Sequence, residues 1–400
     1  MSDQGPLGDP FEGMPFFGDI ARMLGQQGGD AWNSARQLGI SVATGGVTEA
    51  NVDPVERISI EQLARVADLR VADATGLSTS AGGRSVSVRP VNRTSWVMET
   101  LDAYRPLVER LAGALGPAEA PEEQAEDVVD VGDPMAGMFA GMLQMFQPMV
   151  LAMTAGSMVG HMATRTLGQY DLPIPRSLTG QGADELLLCL PNLDAFANEW
   201  SLAADDLRLW ICIHEVAHHA VLGVPHVRAR MDDLLTRYVS SFRNDPAALE
   251  DRIGQIDLSD PSALADLQEV MGSPEVILGA ITSPEQDALR PQLNALVAMV
   301  VGVVDHVLDT VGAELIPSYA MLTEALRRRR VEAAEADRFV ERLFGLELSQ
   351  GTYDRGAAFV DGVVARAGED GLRRLWAGAD VLPTPPEIDA PGLWLARIDL

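Results

Sequence analysis

The sequence predicts a mainly α fold (α+β), with a small sheet packed beside one helix that carries the pattern H-E-x-x-H. Three observations lead there. Apolar residues recur at three- and four-residue steps over several long segments, the signature of buried helix faces. Only two short runs, SVSVRPV at 85–91 and ELLLCLPN at 185–192, have the compact apolar or alternating character of strands. The third is His214-Glu215-Val216-Ala217-His218, set in an apolar helical run shortly after the second strand.

In chain order, residues 1–18 are rich in Gly, Pro and Phe and read as a flexible tail, leaving 19–400 as a single large unit. ISIEQLARVADLRV, Ile58 to Val71, has helical spacing, and a second helix is expected from Thr94 to Leu115. Between Glu119 and Asp133 stand seven acidic residues and no basic one, which makes about 117–134 a solvated linker within the unit. Met135 to Gly160 then runs 26 residues without a formal charge, long enough to span a bilayer. Its methionines nevertheless fall mostly at steps of three and four, and Gln144, Gln147, Pro148, Thr154 and Ser157 interrupt it. A helix burying a methionine stripe accounts for that spacing without a lipid phase, and Gly156 and Gly160 would let another helix approach closely. The motif helix is expected from Ala203 to Leu222, closed by Gly223 and Pro225. A strongly apolar helix follows from about Glu285 to Val311.

Composition narrows the function classes. A net charge of −28 would be repelled by a phosphate backbone, so no nucleic-acid partner is expected. All 30 basic residues are Arg, which reads as codon bias and says nothing of mechanism. Two cysteines, Cys189 and Cys212, are too few for a disulfide framework, and Cys212 in its apolar run reads as a buried inert thiol. The N-terminus lacks a basic stretch followed by an apolar core, so the expected location is cytoplasmic, with no membrane. Oligomeric state is not readable.

The motif has a definite chemistry. Residues four apart share a helix face, so His214 and His218 can aim ring nitrogens at one Zn2+ ion. Glu215, about one residue's turn away, is placed to act on a metal-activated water as general base. The expected function is a zinc-dependent metallohydrolase, peptidase-like, acting on a peptide or small amide. The alternative is a non-catalytic binding or scaffold protein.

HEVAHHAVLGVPH, with GQYDLPIPR, LLLCLPN, ALVAMVVGVVDHVLD, ALRRRR and FGLEL, resembles a bacterial zincin-like family of zinc-dependent metalloproteases. Part of that family is linked by genome context to deazaflavin-coenzyme biosynthesis. The likeness runs from about Asp19 to Leu400 and implies a single zincin-like, gluzincin-like unit with a small sheet beside the H-E-x-x-H helix. It supplies no substrate.

It also raises the question of a third ligand. Related sequences carry Glu within LVxLVEG and an Asp four residues later; here the Glu position holds Val301 and the Asp is Asp305. Valine cannot bind zinc, which is what supports the scaffold alternative. Asp305, one turn from Val301 on the same face, ranks first as third ligand or as a residue orienting a histidine. A carboxylate in so apolar a helix needs a positive partner either way. His226, which extends the motif to H-E-x-x-H-x4-G-x2-H, ranks second, two residues longer than the metzincin spacing. His306 ranks third, a quarter-turn off, and His219 is expected on the helix surface or behind the metal ligands. The Arg327–Arg330 cluster reads as a surface of internal ion pairs. Tyr319 and Tyr353 could stabilise an oxyanion, Tyr170 and Asp171 have no assignable role, and the Gly-Gly pairs lack a nucleotide-loop context.

Overall fold

The computed structural model describes residues 30–79, 86–115, 149, 151–176, 185–242, 283–332 and 335–399. The 1–18 tail, the 117–134 linker and much of the methionine-rich run lie outside the described residues. Helices dominate: α1 (Asp30–Thr44), α2 (Pro54–Thr75), α3 (Arg93–Leu115), α4 (151–163), α5 (Leu190–Glu199), α6 (Ala204–Gly223) and α7 (Pro225–Ser240) precede the long α8 (Pro284–Val307). A π-helical turn, Leu308–Gly312, extends α8, and then come α9 (Tyr319–Val331), α10 (Glu335–Leu343), α11 (Gln350–Arg373), α12 (Pro385–Ile388) and α13 (Pro391–Ile398).

Local chemistry explains several of the boundaries. Asp53 caps α2, its side chain accepting the Val55 N–H at 2.8 Å, and Pro54 supplies a fixed φ at the first helical position. Ser283 and Gln286 form a reciprocal capping box at the start of α8, so that helix begins one residue before the expected Glu285. Pro225 opens α7 directly after the extended Val224, which turns the chain sharply away from α6.

The sheet has two parallel strands among the described residues, β1 (Ser87–Val91) and β2 (Glu185–Cys189), with Ser87 opposite Glu185 and Val91 opposite Cys189. β2 is shorter than the apolar run suggested. Leu190-Pro191-Asn192 belongs to α5, because proline is favoured in a first helical turn and gives a ladder no N–H. α2 and α8 both pack on α6, α3 crosses α7, and α11 lies along α8, so the motif helix is the centre of the core. Every residue of α6 from Trp210 to Leu222 is buried. In α4, Met158 and Met162 are buried, and a Cβ on Gly156 or Gly160 would fall 2.3 Å from Ala35 O or 2.6 Å from Gly39 O of α1. Those glycines permit the close approach their spacing suggested.

One described stretch, Pro284–Leu315, is long and apolar enough to cross a bilayer by length and composition, and 78% of its most apolar window is buried inside the protein. Cys189 and Cys212 are both free and buried, and burial pushes both thiols up, that of Cys189 to about 12.

Candidate metal centre

His214, Glu215 and His218 lie in the middle of α6, at 9%, 0% and 3% exposure. Two aromatic rings flank the histidines: Trp210 stacks on His214 (centroids 5.2 Å apart, planes at 18°) and Tyr170 on His218 (5.6 Å, 14°). The imidazole centroids are 4.3 Å apart, as the four-residue spacing requires.

Their hydrogen bonds set the tautomers. His218 Nδ1 lies 3.1 Å from the His214 carbonyl, which can only accept, so Nδ1 carries the proton and the Nε2 lone pair is free. His214 Nδ1 lies 3.0 Å from Glu215 Oε1: when Glu215 is ionised Nδ1 donates and Nε2 is left with its lone pair, and when Glu215 holds its proton Nδ1 accepts. Neither Nε2 bonds a described residue. Burial lowers the His214 pKa to about 4, with the nearby Arg330 charge adding to it, and burial together with His214 lowers that of His218 well below the ordinary value. Neutral imidazoles are the form a metal needs.

Glu215 is held more firmly than its place in the motif suggests. Oε2 accepts the backbone N–H groups of Gln169 and Tyr170, both at 2.9 Å, and Oε1 faces His214. The segment 166–171 therefore wraps the carboxylate. Gly168 is required there, since a Cβ would lie 2.3 Å from Glu215 Oε1. Its carbonyl accepts from the Trp96 indole at 3.0 Å and the Thr166 hydroxyl at 2.8 Å, which fixes the loop to α3. Burial, with the Asp171 carboxylate, pushes the Glu215 pKa up to about 8 against the pull of the two N–H donors.

Asp305, near the end of α8, takes a two-point bond from Arg330 of α9 (3.0 and 3.1 Å), and the guanidinium lies 4.2 Å over the Tyr353 ring. Asp305 and Arg330 both act electrostatically on His214 and His218, so they neighbour the motif. The positive partner expected for this carboxylate is thus Arg330. His226 is carried away on α7 and bonds the Leu375 carbonyl at 2.9 Å, beside the C-terminal helices. His306 pairs with Glu369 at 3.1 Å, and His219 Nδ1 meets the Tyr170 hydroxyl at 3.3 Å. Val301 is buried at 2% exposure. Tyr319 bonds Asp309 at 2.6 Å. Among the described residues no three His, Cys, Asp or Glu side chains are grouped to hold one ion. Two imidazole donors suit zinc. The most available third donor, Asp305, is engaged by an arginine.

The arginine run divides between two faces. Arg327 and Arg328 pair with Glu324 on the surface, whereas Arg329 bonds Asp171 (2.8 Å) and the Arg165 carbonyl (2.9 Å), and Arg330 turns to Asp305. Four consecutive residues sweep about 300° of a helix, so such a run cannot lie on one face. Tyr170, Asp171, Arg329, Arg330 and Trp210 are the neighbours that spacing within the motif did not supply. Beside His214, lined by Trp210, Arg329, Arg330 and Tyr353 among others, lies a cavity of about 110 Å³.

A family profile described as zincin-like metallopeptidase matches residues 31–395. A solved structure from Chloroflexus aurantiacus, provisionally described as a hydrolase with a novel fold, superposes with a TM-score of 0.57 at 23% identity, over 92% of this chain and 98% of that one. No functionally curated protein matches.

Proposed function

Because the chain belongs to the zincin-like metallopeptidase family, whose profile spans nearly all of it, we propose that it is a zinc-dependent metallohydrolase cleaving a peptide or small amide. Family membership points to metallohydrolase chemistry; the zinc, the substrate class and the residue roles are our reading. The observation that carries it is the pair of buried imidazoles four residues apart on α6, each with its Nδ1 engaged and its Nε2 bonded to no described residue. His214 and His218 would hold the zinc, which when bound supplies Lewis acidity toward water and a substrate carbonyl. Glu215 is the proton acceptor: burial raises its proton affinity into the range a general base needs at neutral pH. Segment 166–171 fixes that carboxylate, and Trp210 and Tyr170 fix the two rings, so the groups are pre-organised before substrate arrives. Asp305, released from Arg330, is a further carboxylate that could reach the metal.

A second reading, a non-catalytic scaffold with or without metal, is favoured by a different observation. Both Glu215 oxygens are already bonded, and Asp305 is clamped by a guanidinium. Elemental analysis of protein purified without chelator separates the two. The metallohydrolase reading requires about one zinc per chain, lost in His214→Ala and His218→Ala, and kept in Glu215→Gln with abolished turnover. Folded protein that takes up no zinc would defeat it, and zinc retained without turnover of any peptide would favour the scaffold.

A further inference from the structure

The cavity beside His214 has a chemical character of its own, unusual for a chain with a net charge of −28. Its lining includes three guanidiniums, Arg165, Arg329 and Arg330, against two carboxylates, Asp171 and Glu341. The donors are only partly used. Arg329 spends Nη2 on Asp171 and the Arg165 carbonyl, which leaves its Nε and Nη1 hydrogens without an acceptor among the described residues. The Tyr353 hydroxyl bonds no described residue either, although its ring lies against Arg330. Trp210 adds a buried indole N–H with no acceptor among the described residues. Three lining residues therefore carry surplus donors, and an arginine beside a reacting site is the usual recogniser of a carboxylate. A cavity of about 150 Å³ holds benzene, so one of about 110 Å³ has room for a carboxylate on a short stem.

We propose that this cavity is a subsite for a carboxylate of the substrate, with Arg329 and the Tyr353 hydroxyl as its donors and Arg330 as a supporting charge. The proposal rests on the metallohydrolase reading for its context, and it narrows the substrate class to amides that present a carboxylate next to the scissile bond. That carboxylate is either the free end of a peptide, which makes the enzyme an exo-acting one, or an acidic side chain.

The test uses metal-free, full-length protein and three probes: N-acetylglycine, N-acetylglycinamide and N-acetylglutamate α-amide. Binding is followed through the indole N–H resonance of Trp210, assigned with Trp210→Phe. N-acetylglycine should bind at least about tenfold more tightly than its amide. Arg329→Gln should remove that preference, and Arg329→Lys should restore part of it. Preference for the glutamate probe over N-acetylglycine supports the subsite and assigns it to an acidic side chain. Equal binding of acid and amide by the wild-type protein overturns the proposal without recourse to any variant, as does a preference that survives Arg329→Gln in folded protein. Zinc uptake is measured separately, on a portion of the same preparation after zinc is added and the excess removed. Zinc uptake without carboxylate preference sinks the subsite alone, and carboxylate preference without zinc uptake sinks the metallohydrolase reading alone.

Discussion

Glu215 and Asp305 are the two carboxylates to which the sequence assigned a part in the metal site, and they are held in opposite ways. Glu215 is fully buried and bonded by uncharged groups, two backbone N–H and an imidazole. Asp305 is about a quarter exposed, at 26%, and is matched by a guanidinium at two points. Neutral donors can satisfy an anion's hydrogen bonds without cancelling its charge, so the proton affinity of Glu215 stays high. A guanidinium cancels the charge, and the cost is that Asp305 is committed to Arg330 until something displaces it. Burial raises the proton affinity of Glu215, and a neutral partner set leaves that rise in place, whereas the guanidinium at Asp305 makes a switchable ion pair.

The largest way to break this contrast is Glu215→Ala. It leaves two backbone N–H groups unpaired in a sealed space, so denaturant unfolding should report a loss of about 4 kcal/mol. Glu215→Gln keeps an oxygen for those N–H groups and should lose only about 1–2 kcal/mol. Gly168→Ala drives a methyl into Glu215 and should cost about 2–3 kcal/mol, read the same way. Equal stability of Gly168→Ala and wild type would mean that the wrap around Glu215 is looser than described.

The pH dependence of metal-free protein sharpens the contrast further. The Glu215 pKa rises from 4.5 to about 8 on folding, so the folded state holds that proton more tightly. Its stabilising contribution is present at low pH and is lost as pH rises from 4.5 to about 8. The His214 pKa falls from 6.5 to about 4, and that of His218 also falls, so these groups disfavour the folded state at low pH and cease to do so by 6.5. Two rising contributions outweigh one falling contribution below 6.5, and only the falling one remains above it. Stability should therefore peak near pH 6.5 and drop by about 1–2 kcal/mol toward pH 8, and Glu215→Gln should flatten that drop. Thermal melts across this range check it. The smallest effect belongs to Asp305→Asn. A partly exposed pair contributes about 1 kcal/mol or less, and that loss should shrink with added salt whereas the Glu215→Ala loss should not.

Much of the fold was legible because it rests on periodicity. The spacing around Ile60, Ala64 and Val71 marks a buried face of α2, and the apolar run through Val297 to Val304 marks α8. H-E-x-x-H carries its own geometry, so the pairing of His214 with His218 needed no tertiary information. What the sequence does not show is partnership across long separations. Nothing within residues 324–331 says that Arg329 faces Asp171 and Arg330 faces Asp305, because helix rotation alone decides which of four arginines turns inward. The role of GQYD was hidden for the same reason: its backbone, and no side-chain pattern, holds Glu215. His226 comes within two residues of the metzincin spacing, yet Pro225 starts a new helix that takes it to Leu375.

The parallel pairing of β1 with β2 bears on the order in which these parts can form. Ser87 meets Glu185 across 98 intervening steps of chain (185 − 87 = 98), and a parallel pair cannot be closed by a short hairpin. Closing so long a loop costs entropy before any contact rewards it, so this strand pair belongs to the late, slow part of the folding reaction. The Cys189 N–H then bonds the Leu167 carbonyl at 2.9 Å, directly ahead of the Gly168 turn that wraps Glu215. A full-length chain as it refolds can thus complete α6, with both histidines on one face, before the carboxylate between them is locked. Metal affinity and base strength would be acquired at different moments in the life of the same helix.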